Sequence, residues 1–288
     1  VKDAVTNVKV YDPSAGSGTL LMNIAHAIGE DKCSIYSEDI SQKSSNMLRL
    51  NLILNNLTPS IPNIIKTNTI LNPFYLDKKF DYVVSNPPFK LDFSDFRDDL
   101  ENDINKKRFF AGIPNIPKTK KESMAIYLLF IQHIMYSLSE NGKSAIVVPT
   151  GFITAQSGIE RKIREALIER NWLRGVVSMP SNIFASTGTN VSIVFIDKEA
   201  DSEKIVLVDA SKLGQTIKEG KNQKTVLSAK ELKDICYFIP CPKSPHGCDV
   251  DPTGEYIVGS GKLAALIPVF SFDKLQKAIA AKDFIGEF

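Results

Sequence analysis

The stretch VKVYDPSAGSGTLLMNIAHAI, residues 8–28, decides the fold. Three of the four residues from Val8 to Tyr11 are branched or aromatic, and the four read as a short strand. A turn with Gly16 and Gly18 follows at once. From Thr19 the apolar residues take up helical spacing. Two glycines between a strand and a helix leave room for a ligand to approach the backbone. The free N–H groups at the helix start face that turn and suit a phosphate or a carboxylate. Asp12, at the strand end, is placed to reach an ammonium group.

Working outward, the alternation repeats. CSIYSED (33–39) reads as a second strand and SSNMLRLNLILNN (44–56) as a second helix. FDYVVSN (80–86) is a strand that runs straight into Pro-Pro-Phe. SMAIYLLFIQHIMYSLS (123–139) is apolar on nearly every face and long enough to be a buried helix. A strand over 141–151 and an amphipathic helix over 158–170 follow. LRGVVSMP (173–180) and NVSIVFID (190–197) have no helix between them, so they are expected to pair as an antiparallel edge hairpin. The expected fold is α/β: a doubly wound, mostly parallel, seven-stranded sheet, with ligands beyond the carboxyl ends of its strands. The pattern loosens after about residue 200. The expected division is a catalytic domain over 1–210 and an appendage over 211–288, helical or partner-binding and not necessarily continuous.

Composition bounds the class. The 288 residues are 43% hydrophobic and 24% charged, with a net charge of +2. That is ordinary for a globular protein and gives no overall basic character. No apolar run is long enough to span a membrane. The start does not resemble a signal peptide, and four cysteines are few, so a reduced, cytoplasmic protein is expected. Cys236, Cys241, His246 and Cys248 do not have a usual zinc spacing, so no metal site is expected. His133 reads as a core or interface histidine, and His26 likewise.

The chemistry is carried by two ends. GSG is only part of a dinucleotide pattern, and no P-loop lysine follows. Glu38 and Asp39 end the second strand, and either can accept from both hydroxyls of a ribose. Asp12, the glycine turn and Glu38 together fit an amino acid joined to a nucleoside, which describes S-adenosylmethionine. On this element alone an unspecified nucleotide fits as well. At the other end, Asn86 offers an uncharged side-chain oxygen and Pro87 a backbone carbonyl. The two proline rings fix the backbone, so both acceptors stay aimed. Two acceptors on one flat amine favour the pyramidal nitrogen needed for attack on a methyl group. Phe89 is shaped to stack on the base. Without a carboxylate here, no strong general base is expected. Between this motif and the buried helix lie KKR (Lys106, Lys107, Arg108) and KTKK (Lys118, Lys120, Lys121). These are candidates to hold nucleic-acid phosphates near a flipped base, with Phe109 and Phe110 as candidates to wedge or stack. The acidic run DFSDFRDDLENDI just before them opposes a simple DNA-binding face.

VYDPSAGSGTLL, SIYSEDI and FDYVVSNPPF, in that order, resemble the motifs of N6-adenine DNA methyltransferases in the gamma arrangement. LLFIQHIMYSL, GKSAIVVPTGFI, ERKIREALIERNWLRGVVSMPSNIFASTGTNVSIVFIDK and DASKLGQTIKEGKNQ are similar to the modification subunits of type I restriction-modification systems. The resemblance covers about residues 8–225. It implies a class I, Rossmann-like, S-adenosylmethionine-dependent fold. It implies Asp12, Ala15, Gly16 and Gly18 around the methionine part of the donor, Glu38 at the ribose, and Ile40 beside the adenine. It implies Asn86, Pro87, Pro88 and Phe89 at the target base. Asn68 stands where the family often has an Asp facing the donor adenine. The family also has a helical region upstream of the glycine turn, and this sequence begins almost at the first strand, as a fragment of a longer chain would. The implied partners are double-stranded DNA, a specificity subunit, a second modification subunit and a restriction subunit. Two alternatives stay open: a methyltransferase of the same fold acting on RNA adenine or protein glutamine, and a donor-binding scaffold without catalysis.

Overall fold

The structure is a computed structural model, and it describes residues 7–184, 189–199, 204–219, 222–235, 245–250, 256–261 and 269–271. The chain divides into two compact units, Thr6–Glu231 and Leu232–Phe288 with Val1–Val5. The first begins with β1 (Val8–Asp12), α1 (Thr19–Ile28), β2 (Cys33–Asp39), α2 (Gln42–Leu54), β3 (Ile64–Lys66) and β4 (Phe80–Ser85). It continues with α3 (Asp103–Arg108), α4 (Tyr127–Ser137), β5 (Leu138–Pro149), α5 (Gly151–Thr154), α6 (Gly158–Glu169), β6 (Leu173–Ser178) and β7 (Val191–Asp197). β8 (Val206–Asp209) and the hairpin β9 (Gln215–Glu219) with β10 (Asn222–Val226) follow. Helix α7 (Ala229–Ile235) crosses the division. In the second unit, β11 (Pro245–Val250), β12 (Tyr256–Gly261) and β13 (Val269–Ser271) form an antiparallel sheet.

The main sheet runs β3-β2-β1-β4-β5-β7-β6-β8. β3, β2, β1, β4 and β5 are mutually parallel. β7 is antiparallel to both β5 and β6. The sequence expectation of a Rossmann-like α/β fold with an antiparallel hairpin is met. The sheet has eight strands rather than seven, because Val206–Asp209 adds parallel to β6 outside the hairpin. That strand was missed because its four residues are mostly exposed and show no buried alternation.

Strand order reverses at β1, which has β2 on one side and β4 on the other. Helices on the two sides of such a reversal cover opposite faces, leaving a crevice at the carboxyl ends of β1 and β4. The core beneath it is apolar and aromatic. Tyr11 stacks on Phe80 at 4.2 Å, and Ile131 and Ile134 of α4 pack against the same cluster. Helix α4 is buried along almost its whole length, as its all-round apolar sequence requires. Among the described residues, no helix is long and apolar enough to cross a membrane.

Candidate donor and target site

The glycine turn and the tetrapeptide stand side by side. β1 and β4 pair directly and in parallel, Val10 opposite Tyr82 and Tyr11 opposite Val83. Both strands therefore end on the same side of the sheet. The Ser14 and Ser85 hydroxyls meet at 2.7 Å, one residue before Asn86.

The turn is braced at four points. Ser14 N–H donates to Asp12 Oδ1 at 2.9 Å, and Gly16 N–H donates to Asp39 Oδ2 at 2.9 Å. Asn51 of α2 donates through Nδ2 to Ser17 O at 2.8 Å. The Thr69 hydroxyl donates to Pro13 O at 2.8 Å. Ala15 is buried and Thr19, the first residue of α1, is exposed. The two glycines do different things. A Cβ on Gly16 would meet nothing within 4 Å, so the turn is open there. A Cβ on Gly18 would lie 2.2 Å from Leu48 Cδ1. Gly18 therefore lets α2 pack against the start of α1 and does not open the turn to a ligand. With the Gly16 side open, Asp12 at the strand end and no side-chain cap on α1, the residues present fit a zwitterionic donor.

Asp12 is 2% exposed, and burial pushes its carboxyl up to about 7, against hydrogen bonds from Ser14 and Ser85. The nearby Asp39 carboxylate adds to the rise. An ammonium group would reverse that balance by favouring the charged form.

Glu38 requires a correction. Successive strand residues face opposite sides, so Glu38 and Asp39 cannot share one pocket. Glu38 is 0% exposed and points into the core. Its two oxygens accept from the Tyr11 hydroxyl and from Phe74 N–H. Burial raises its pKa as well. Asp39, half-buried at the turn, bonds Gly16 N–H and Ser41 N–H. Asp39 is the acid that faces the turn. Ile40 beside it is 67% exposed. Asn68 is half-buried, and its Oδ1 accepts from Ile70 N–H and Leu71 N–H at 3.1 and 3.2 Å. Its oxygen is thus already engaged within its own turn.

At the other end, Asn86 and Pro88 are exposed, Pro87 is buried and Phe89 is half-buried. The Phe89 ring meets Tyr127 edge-on at 6.4 Å, and Tyr127 meets Phe152 edge-on at 6.3 Å.

Lys106, Lys107, Lys118, Lys120 and Lys121 are exposed, with Lys106 paired to Asp103 at 2.6 Å. Arg108 is a second correction. It is 0% exposed and its guanidinium donates inward to Thr69 O and Ile70 O, so it cannot meet DNA. Phe109 is likewise buried, while Phe110 lies against Arg170. His26 is a surface residue beside Glu30, not a core histidine. His133 is fully buried, 3.1 Å from the Tyr11 hydroxyl. Cys236 and Cys241 lie outside the described residues, as do the side chains of His246 and Cys248. Sequence reasoning missed Ser14, Ser85, Asn51 and Thr69, small polar residues whose roles emerge only from strand pairing.

The fold defines a Rossmann-like α/β protein, with the candidate site at the switch point of the sheet. The N-6 DNA Methylase family matches residues 1–240, and the chain belongs to that family. Membership implies dependence on S-adenosylmethionine. The chain is 32% identical over 247 residues to the type I restriction enzyme MpnII methylase subunit of Mycoplasma pneumoniae, spanning 81% of this chain and 43% of that protein. It is 27% identical over 239 residues to the MjaIX methylase subunit of Methanocaldococcus jannaschii, spanning 78% and 40%. The crystal structure of a type I restriction-modification methyltransferase subunit from Streptococcus thermophilus is similar, with a TM-score of 0.62 and 27% identity over 80% of this chain and 46% of that one. The chain spans less than half the length of these relatives.

Proposed function

We propose that this chain transfers a methyl group from S-adenosylmethionine to the N6 amine of an adenine held out of duplex DNA, as the modification component of a type I restriction-modification assembly. The observation that supports this most is the Ser14–Ser85 contact, which ties the glycine turn to the end of the strand that leads into Asn86.

When bound, S-adenosylmethionine supplies an electrophilic methyl group on its sulfonium. Asp12 holds the ammonium, and Ala15, Gly16 and Thr19 border the carboxylate at the start of α1. Asp39 takes the ribose hydroxyls in place of Glu38, since each of its oxygens retains a second acceptor site. Ile40 covers the donor's adenine, with Asn68 at its edge. The Asn86 side-chain oxygen and the Pro87 carbonyl accept the two hydrogens of the target amine. That pulls the nitrogen lone pair out of the ring. Phe89, set edge-on against Tyr127, presents its face to the base. Asn86 carries no charge, so the proton leaves to water after transfer. Loss of one such fixed hydrogen-bonding group typically costs about 10²–10³ in rate.

Lys106, Lys107, Lys118, Lys120 and Lys121 hold phosphates beside the extruded base. The relatives are methylase subunits of type I restriction enzymes, which supports partners of the type I kind for this chain: a specificity subunit, a second modification subunit and a restriction subunit. The test is single-molecule sequencing of DNA from cells with and without this protein and its partner subunits. N6-methyladenine at one motif is expected only in their presence. Methylation found on RNA or on protein glutamine instead would transfer the reading to those substrates.

A further inference from the structure

Arg108 ends a run of three basic residues, yet it is fully buried. Nη1 donates to Thr69 O at 3.2 Å, and Nη2 donates to Ile70 O. The guanidinium lies 4.2 Å from the centre of the Phe109 ring. Among the described residues, its Nε has no hydrogen-bond partner and no carboxylate lies within ion-pair distance. The Glu38 carboxylate acts on it only through the field. Burying a guanidinium this way is costly, and a methionine would fill the space without that cost. What methionine cannot supply is a flat fork that holds two consecutive carbonyls, and a lysine ammonium cannot either.

Those carbonyls belong to the turn Asn68–Leu71, which Asn68 Oδ1 closes from within. From the same turn the Thr69 hydroxyl reaches Pro13 O. Pro13 precedes Ser14, which meets Ser85 next to Asn86. Arg108 itself lies in the segment between the tetrapeptide and α4. A continuous series of hydrogen bonds therefore runs from that segment, through the Asn68–Leu71 turn, to the donor turn.

We infer that Arg108 is a positioning residue for the donor pocket: its fork holds the Asn68–Leu71 turn against Pro13 and ties the segment after the tetrapeptide to the donor turn. It touches neither donor nor DNA. This inference rests on the donor reading above.

The test titrates the full chain with S-adenosylhomocysteine by calorimetry, in wild type and in Arg108→Lys, Arg108→Met, Thr69→Val and Arg108→Lys/Thr69→Val variants. Thermal midpoints are recorded in parallel. Each Arg108 variant should bind about tenfold more weakly, the scale of a charge-assisted hydrogen bond. The double variant should bind no more weakly than Arg108→Lys alone, because both changes break one linkage. Hydrogen exchange should quicken at residues 69–74 and stay unchanged in β6 and β7. Where Arg108→Met does not fold, Arg108→Lys carries the test. Wild-type affinity in Arg108→Lys with only a lowered thermal midpoint overturns the inference, as do additive losses in the double variant. No binding by the wild type sinks the donor reading itself, and the inference with it.

Discussion

Ser14 and Ser85 lie 71 residues apart in sequence and 2.7 Å apart in space. Ser85 is fully buried, so this contact is part of the frame that brings the two halves of the candidate site together. Replacing Ser85 by Ala removes it at small cost in volume. The expected outcome is a fall in kcat of about tenfold, the worth of one positional hydrogen bond. Affinity for S-adenosylhomocysteine should fall less than kcat, through the one hydrogen bond that Ser85 gives the Asp12 carboxyl. Steady-state methyl transfer and calorimetry on the same preparation check this split.

Donor binding should depend on pH through Asp12. Its folded pKa, about 7, stands above the ordinary 3.8 because of burial. Between those values the folded chain keeps a proton that the unfolded chain has lost. Asp12's contribution to stability is therefore full below about pH 4 and is lost as pH rises through about 7. An ammonium ligand prefers the ionised carboxylate. S-adenosylhomocysteine affinity should rise between about pH 6 and 8, with proton release on binding. Asp12→Asn should flatten the profile. Calorimetry in buffers of different ionisation enthalpy measures the proton count.

Gly16 and Gly18 should fail differently. Gly18 has φ +82° and Leu48 Cδ1 at 2.2 Å from any added Cβ. Gly18→Ala should cost roughly 1–3 kcal/mol of stability through overpacking, and less than that when made in a Leu48→Ala background. Gly16 has φ +55° and open space above it. Gly16→Ala should cost about 1 kcal/mol in stability and weaken donor binding more. Urea unfolding and calorimetry separate the two effects.

The exposed lysines should act on DNA by charge. Lys107→Gln, Lys118→Gln, Lys120→Gln and Lys121→Gln should each weaken binding similarly for all sequences, and each should reduce the salt slope by about one. Lys106→Gln should do less, because Asp103 already holds that ammonium. Anisotropy across a salt series reads both quantities. An unchanged slope would make this segment a solvated surface.

The motifs at 8–21 and 80–90 were legible because each is local: a strand, its terminus and the residues that must follow. Their common place beyond the carboxyl ends of parallel strands was expected from the alternation, and the β1–β4 pairing sets them side by side. The choice between Glu38 and Asp39 was not legible, since it depends on which face of β2 meets the turn. Arg108 was misread because a basic run looks solvated. Helical spacing held the missing signal, for Asn105 and Arg108 are three apart on α3 and both are buried. β8 escaped because an exposed strand of four residues carries no periodic pattern.

The bipartite site is tested most directly by methyl transfer from labelled S-adenosylmethionine to DNA adenine, using the assembled complex with wild type or Asn86→Ala. Asn86 is exposed, so its loss should leave stability nearly unchanged. The account predicts transfer to N6 by the wild type and a fall of at least about 10²-fold in the variant, with S-adenosylhomocysteine affinity retained. Undiminished transfer by Asn86→Ala, or none by the wild-type complex, would contradict it.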